Sequence, residues 1–192
     1  MIIKLFPPRL DGAYSLEKVI YKRRSIRSFS NKKVEMEKIS QLLWAAQGKI
    51  GTKRTVPSAG ASYPLEIYVI LREKGLFHYN VDKHNLELLI DEDLSKKLVK
   101  ASLDQYFIEE AYLNIIICAY FSRATQVYGQ RGIRYVFIEV GHCAQNIHLQ
   151  AVALGLASVP VGAYEDIKVK EVLSLQKNIE PLYIIPIGYE SL

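Results

Sequence analysis

The stretch that decides the fold is residues 131–154, RGIRYVFIEVGHCAQNIHLQAVAL. Apolar residues recur along it at helical spacing, and Gly155 follows as a good stop, so we predict one long helix. The spaced positions are Val136, Val140, Cys143, Ile147, Ala151 and Leu154. Because such a helix is apolar almost all round, we expect it to be the spine of the domain or to be buried in a dimer.

The segments around this helix predict a mixed architecture. Residues 113–121 are almost continuously apolar and predict a strand buried on both faces. Further strands are predicted at residues 66–72, 77–79, 86–90, 156–163 and 182–188, of which the second and third form a hairpin. Further helices are predicted at residues 15–23 and 35–48, and after an Asp91 cap through Val99. The sequence therefore predicts an α+β fold with a central mixed or antiparallel sheet flanked by helices, and residues 1–192 suit a single domain.

The composition favours a cytoplasmic protein that binds small anions. The net charge of +5 suits phosphates and carboxylates, but it is too weak to argue for nucleic acid. Cys118 and Cys143 lie in apolar stretches and are expected to be buried free thiols of a reduced compartment. Metal-ligand spacing, a signal peptide and a membrane span are all missing from the sequence, so we expect no metal and no membrane.

A dense basic cluster lies at Arg23-Arg24-Ser25-Ile26-Arg27. The planar guanidinium group donates bidentately to phosphate, so the cluster predicts a pocket for a phosphorylated small molecule. A solvated basic face is the alternative interpretation. In an extended segment Arg23, Ser25 and Arg27 would share one side, while Arg24 would point away or contribute only its backbone.

Two loops of small residues are further candidates for binding. The first contains Pro57, Ser58, Ala59 and Gly60, whose small side chains let a ligand approach the backbone. The second contains Pro160, Val161, Gly162 and Ala163, whose free backbone N–H groups could face a planar ligand. Each loop could equally be a plain connection between elements of the fold.

Taken together and in this order, these motifs make the chain resemble the FMN-dependent nitroreductase family. Within the family it is similar to the SagB-like branch, which includes dehydrogenases that aromatise thiazolines and oxazolines in modified peptides. The resemblance runs from about residue 16 to residue 188. The matching motifs are residues 23–27, 43–48, 57–61, 128–132, 141–146, 153–156 and 186–188.

The resemblance implies a nitroreductase-like fold, an intertwined homodimer and two FMN sites at its interface. Arg23, Ser25 and Arg27, within a cluster that also contains Arg24, would grip the phosphate, the ribityl chain and the pyrimidine edge. The loop from Pro57 to Gly60 would reach the flavin from the other subunit. Pro160, Val161, Gly162 and Ala163 would lie along the isoalloxazine, and Gln105 would be a polar group near the ring.

The activity that the resemblance implies is hydride transfer from NAD(P)H or an organic donor to an acceptor such as a quinone or a nitro compound. It would follow a ping-pong scheme, with small molecules as the electron donor and acceptor. Oxidation of a heterocycle or a peptide azoline is the alternative enzymatic interpretation. A flavin-binding protein without turnover is the alternative from another functional class.

The chain departs from the family pattern in two places. Many members carry a Lys or Arg beyond the last strand to hold the phosphate, whereas residues 189–192 read YESL. Arg131 or Arg134 could substitute, or could be part of a solvated helix terminus. The peptide-azoline dehydrogenases carry a Lys directly before the Tyr of the Tyr-Gly motif, whereas Val127 precedes Tyr128 here. This argues against azoline oxidation.

Three polar residues near or within the long helix remain to be placed. Tyr128 is a candidate proton donor, or it packs beside Gly129. His142 is expected to be a satisfied core histidine, since its helix is mostly apolar. Glu139 is expected to pair with an arginine or with His142.

Overall fold

A computed structural model describes residues 1–191 of the chain. The helices are α1 (Leu16–Lys22), α2 (Met36–Gln47), α3 (Ser95–Ala101), α4 (Phe107–Glu110), α5 (Phe121–Tyr128), α6 (Arg131–Ala153) and α7 (Asp166–Val172). The strands are β1 (Ile2–Lys4), β2 (Lys49–Ile50), β3 (Lys53–Arg54), β4 (Leu65–Leu71), β5 (Gly75–Asn80), β6 (Asn85–Ile90), β7 (Leu113–Ala119), β8 (Ala157–Ser158) and β9 (Glu180–Gly188). The predicted α+β class is confirmed.

The seven strands of the main sheet lie in the order β1-β6-β5-β4-β7-β9-β8, and every pairing is antiparallel. Strand β7 lies between β4 and β9, with Ile117 opposite Ile67 and Tyr183. All seven residues of β7 are buried. Strands β2 and β3 form a separate short hairpin. The sheet is therefore antiparallel, the second of the two forms that the sequence allows.

Two apolar clusters explain why β7 is apolar on both faces. Ile115 and Ile117 point into a cluster that also contains buried residues of α2 and α6. Ile116 and Cys118 point to the other face, against residues of α3 and α7. Successive side chains of a strand alternate between faces, so helices on both sides of the sheet demand a continuous apolar run.

Helix α6 crosses the first of these faces and matches its prediction closely. Gly155, just beyond its end, has a φ of +71°, a left-handed conformation that glycine adopts without strain. At the other end Gly132 lies against the backbone of α5, where a Cβ atom would come within 2.7 Å of Ala124 C. One face of α6 is buried, but Phe137 and Ile138 are exposed. The helix is thus the spine of this chain and also leaves an uncovered apolar face.

Three predicted boundaries are wrong. The strand predicted over residues 113–121 stops at Ala119, where the Tyr120 N–H donates to Pro64 O, and the unforeseen helix α5 begins at Phe121. Of residues 156–163 only Ala157 and Ser158 form a strand, because Pro160 has no N–H to donate and interrupts the ladder.

The third wrong boundary is the start of the helix predicted after Asp91. Helix α3 begins at Ser95, and its N-terminal N–H group is capped by Asp93, whose Oδ1 accepts from Ser95 N at 2.9 Å. Several short elements carry no clear sequence signal, among them β1, α4 and α7.

Within residues 1–191, no helix is both long and apolar enough to cross a membrane. Over the same residues, histidine, cysteine and acidic side chains do not gather in any group of three that could hold a metal ion. Cys118 and Cys143 are both buried and free, as expected from the sequence.

Candidate functional site

The arginine cluster lies in an extended segment that follows α1. Ser25 forms a parallel β-bridge with Ser158, and the Ile26 N–H donates to Ser158 O at 3.1 Å. Arg24 and Ile26 line a cavity of about 350 Å³ together with β8. In an extended backbone alternate residues face opposite ways, so Arg23, Ser25 and Arg27 share the opposite side. The structure therefore supports the predicted alternation.

Ser25 and Arg27 are exposed, and a second element approaches them. The Arg27 guanidinium carbon lies 6.0 Å from the centre of the Phe107 ring at the start of α4. Just before that helix, Gln105 Nε2 donates to Ala163 O at 2.8 Å. Gly162 and Ala163 are exposed, whereas Val161 is buried and exchanges two backbone hydrogen bonds with Ile184. The structure thus brings together one group of predicted residues, which we call the arginine site: Arg23, Ser25, Arg27, Gln105 and residues 160–163.

A buried histidine that the sequence analysis did not single out lies behind the arginine site. His148 of α6 is only 4% exposed, and its Nδ1 lies 2.8 Å from Ser158 Oγ. Burial, with a smaller contribution from the nearby Arg23 charge, lowers the pKa of His148 to about 4. The ring is therefore neutral at physiological pH. Its spacing of four residues from Ala144 on the buried face of α6 is the signal that could have located it.

The loop from Pro57 to Gly60 belongs to a second group. Residues Ala59–Ala61 form a single 3-10 turn, in which Gly60 has a φ of +55°. A Cβ atom on Gly60 would lie 2.6 Å from the Tyr128 hydroxyl oxygen, so the tyrosine packs directly over this glycine. Tyr128 also packs edge-to-face on Tyr135 with ring centres 5.1 Å apart. We call residues 57–60 with Tyr128 and Tyr135 the tyrosine loop.

Glu139 lies beneath the tyrosine loop and corrects two expectations. It is 3% exposed, and it neighbours Ser58, Gln47 and Arg54. Of the two expected partners, His142 is therefore wrong, and the nearby charge is that of an arginine. Burial raises the pKa of Glu139, while the nearby polar groups of Ser58 and Gln47 and the charge of Arg54 oppose the rise. His142 is exposed and is not a core histidine, because its position faces outward from α6. The buried histidine of this helix is His148.

The arginine site and the tyrosine loop lie toward opposite ends of α6. Tyr135 and His148 are 13 residues apart on this helix, and at 1.5 Å per residue their separation is about 20 Å. Arg131 and Arg134 lie at the tyrosine-loop end, where they border a surface cavity of about 830 Å³ with Phe137 and Ile138. A single chain therefore presents the predicted residues as two separate groups.

Comparison with known proteins identifies the family of the chain. The model of the nitroreductase family matches residues 20–189. The chain belongs to the nitroreductase family. A solved structure of a Ralstonia eutropha protein described as a nitroreductase superposes with a TM-score of 0.88 at 27% identity, covering 100% of this chain and 90% of that one. The family and the fold predicted from the sequence are thus confirmed, and the family match makes the chain an oxidoreductase.

Named relatives fall into two groups. A Methanocaldococcus jannaschii protein named as a nitroreductase is 43% identical over 180 residues, which are 90% of each chain. A protein of Archaeoglobus fulgidus named as an NADH dehydrogenase or NAD(P)H nitroreductase is 27% identical over 90% of this chain and 83% of its own. The trifolitoxin-processing protein TfxB of Rhizobium leguminosarum is 31% identical over 67% of this chain, but the match spans only 37% of TfxB. Similarity to the SagB-like branch is thus also confirmed.

Proposed function

We propose that the chain is an FMN-dependent oxidoreductase that passes a hydride from NAD(P)H or an organic donor to a quinone or nitro acceptor by a ping-pong scheme. The observation that carries the proposal is the arginine site, in which exposed Ser25 and Arg27 stand with Gln105 and the exposed Gly162 and Ala163. This set of groups lies in a chain of the nitroreductase family. A cytoplasmic location, suggested by the two free cysteines, is part of the same proposal.

The arginine site fits FMN by its chemistry. Two arginines and a serine hydroxyl on one side of an extended segment suit a monophosphate, which accepts several charge-assisted hydrogen bonds. Gly162 and Ala163 carry little or no side chain, so a planar ring can approach their backbone. The dinucleotide fingerprint G-x-G-x-x-G is absent from the sequence, which favours FMN over FAD.

When bound, FMN would supply the hydride chemistry, and the protein would supply orientation and electrostatics. Arg27, held against Phe107, would place a cation beside the ligand and stabilise its reduced, anionic form. Backbone N–H groups of residues 162–163 would act in the same way. Solvent can deliver the protons, and Tyr128 of the tyrosine loop would be the candidate side-chain acid.

A homodimer is the second part of the proposal. The tyrosine loop lies about 20 Å from the arginine site along α6, so we infer that it completes the site of a partner subunit. The exposed apolar side chains of Ile133, Phe137 and Ile138 provide a surface on α6 for that partner. An exposed apolar face of this kind is typical of a protein–protein contact, because association removes it from water.

Anaerobic flavin reduction tests this function. The purified, FMN-loaded protein is mixed with NADPH or NADH without oxygen, and the flavin absorbance is followed. We expect bleaching by at least one nicotinamide, recovery of colour on adding a quinone, and parallel lines in double-reciprocal plots of the two substrates. A flavin that is bound yet is not reduced by either nicotinamide would instead favour a flavin-binding protein without turnover.

Oxidation of a peptide azoline is kept as a second candidate because of the match to TfxB, a processing protein by name. Val127 stands where the azoline dehydrogenases carry a lysine, so the usual base is missing. The test is incubation of the FMN-loaded protein with a synthetic thiazoline peptide under oxygen. A mass decrease of two hydrogens would establish this candidate, and an unchanged mass would exclude it for that peptide.

A further inference from the structure

We propose that His148 is a positioning residue of the arginine site, acting on Arg23, Ser25 and Arg27 through Ser158. The inference rests on the proposed function, since it assigns these residues to flavin binding. It extends that function to a residue in the helix behind the site. The neutral ring holds the Ser158 side chain in place, and Ser158 in turn sets the register of residues 23–27.

The contacts form an unbroken chain from α6 to the arginines. His148 Nδ1 lies 2.8 Å from Ser158 Oγ. The backbone oxygen of the same serine accepts from Ile26 N, and Ser158 bridges Ser25. Ile26 is centred between Ser25 and Arg27, so the register of this bridge determines which side chains face the ligand. A shift by one residue would turn Arg24 toward the ligand in place of its neighbours.

The burial of His148 argues that the ring has a purpose beyond packing. Its position lies on the stripe of α6 that carries Ala144, Ile147 and Ala151, where an apolar side chain would pack at lower cost. Within residues 1–191 its Nε2 is buried without a hydrogen-bond partner, which is a further cost. The polar contact that the ring makes in return is with Ser158. The charged group that faces it is Arg23, which opposes protonation of the ring.

Substitutions that place an amide group at the position of one ring nitrogen at a time test the inference. His148→Asn retains a polar atom near the Nδ1 position and so keeps the contact with Ser158, whereas His148→Gln places its amide near the Nε2 position. The matched control is His142→Asn, at an exposed histidine of the same helix. FMN binding is measured by quenching of flavin fluorescence, with riboflavin as the probe that lacks the phosphate, and thermal unfolding checks that each variant is folded.

We expect FMN to bind His148→Gln at least tenfold more weakly than the wild type, while His148→Asn and His142→Asn stay within about threefold. Rescue by Gln but not by Asn would overturn the inference, because it would mean that the ring acts through Nε2. Equal affinity of all variants would overturn it as well.

Hydrogen exchange of the Ile26 amide, measured by NMR without any flavin, separates this inference from the proposed function. Exchange should be at least tenfold faster in His148→Gln than in the wild type and should be nearly unchanged in His148→Asn. If the wild type fails to bind FMN, the proposed function fails, yet this measurement still tests whether His148 fixes the segment. Unchanged exchange in both variants would refute the positioning role.

Discussion

Arg27 and Arg131 are the two cations whose roles differ most in this account. Arg27 lies in the arginine site against Phe107, whereas Arg131 lies at the far end of α6. We expect Arg27→Ala to weaken FMN binding by about one to two decades, since a lost charge-assisted contact costs about 1.5–3 kcal/mol. Arg131→Ala should change it by less than about threefold. Titration of the apo-protein with FMN measures the affinity of both variants. A larger loss in Arg131→Ala than in Arg27→Ala would instead place the phosphate beside the start of α6 in the partner subunit.

Glu139 should make the protein less stable as the pH rises. Because burial raises its pKa in the folded state, folding disfavours the ionised carboxylate, and stability falls as the pH rises above the ordinary value of 4.5. Glu139→Gln keeps the shape without the charge. We expect it to raise the free energy of unfolding by about 1–3 kcal/mol at pH 8 and to change it little at pH 4.5. Urea unfolding at both pH values measures this, and a loss of stability at pH 8 would show that the carboxylate is well satisfied when ionised.

Asp93 connects two elements, and its neighbour Asp91 offers a matched control. Asp93 Oδ2 accepts from Glu73 N in the turn between β4 and β5, while Oδ1 accepts from Ser95 N at the start of α3. Asp93→Ala should cost about 1–2 kcal/mol of stability, as caps typically do, and Asp91→Ala should cost less than about 0.5 kcal/mol. Thermal unfolding of the two variants at neutral pH compares them, and equal losses would restore Asp91 as the cap.

The Asp93 contribution also has a defined pH dependence. Partial burial works to raise the pKa of Asp93, but the hydrogen bonds from Glu73 and Ser95 outweigh it and lower the pKa below 3.8. Its stabilisation is therefore present above pH 3.8 and is lost as the pH falls through the lowered pKa. The difference between wild type and Asp93→Ala should shrink over that acidic range.

Long elements could be predicted from the sequence because their periodicity is imposed by burial. Helix α6 and strand β7 both pack in the core, and their apolar patterns predicted them to within two residues. Helix α5 could not be separated from β7, since Phe121 continues the apolar run and no side chain caps the helix. The three-residue β1 and four-residue α4 are too short to show a period.

At the candidate site, the sequence predicts individual residues but does not show which of them contact one another. Gln105 and Ala163 are 58 residues apart, and only the fold shows that they bond. His142 and His148 share one helix, but the six-residue spacing turns one out and the other in. The burial of Glu139 follows from its spacing of four residues from Cys143 on the same face of α6. The sequence does not predict this burial, because a charged residue is normally expected at the surface.

At the scale of the whole molecule, the exposed apolar face of α6 should hold two chains together. We expect the wild type to sediment as a dimer at micromolar concentration and Ile138→Asp to sediment as a monomer that retains little FMN. Ile167→Asp, at an even more exposed apolar residue of α7, is the control and should remain dimeric. A stable monomer that holds FMN in the wild type would contradict the shared site.

The central claim is that this chain holds FMN, and the composition of the purified protein tests it most directly. The protein is purified, its visible spectrum is recorded, and the flavin that heat releases is identified by mass and counted per chain. We predict a yellow protein that releases about one FMN per chain, or an apo-protein that takes up added FMN to the same ratio. A colourless protein that does not take up FMN, or one that releases FAD, would contradict the account.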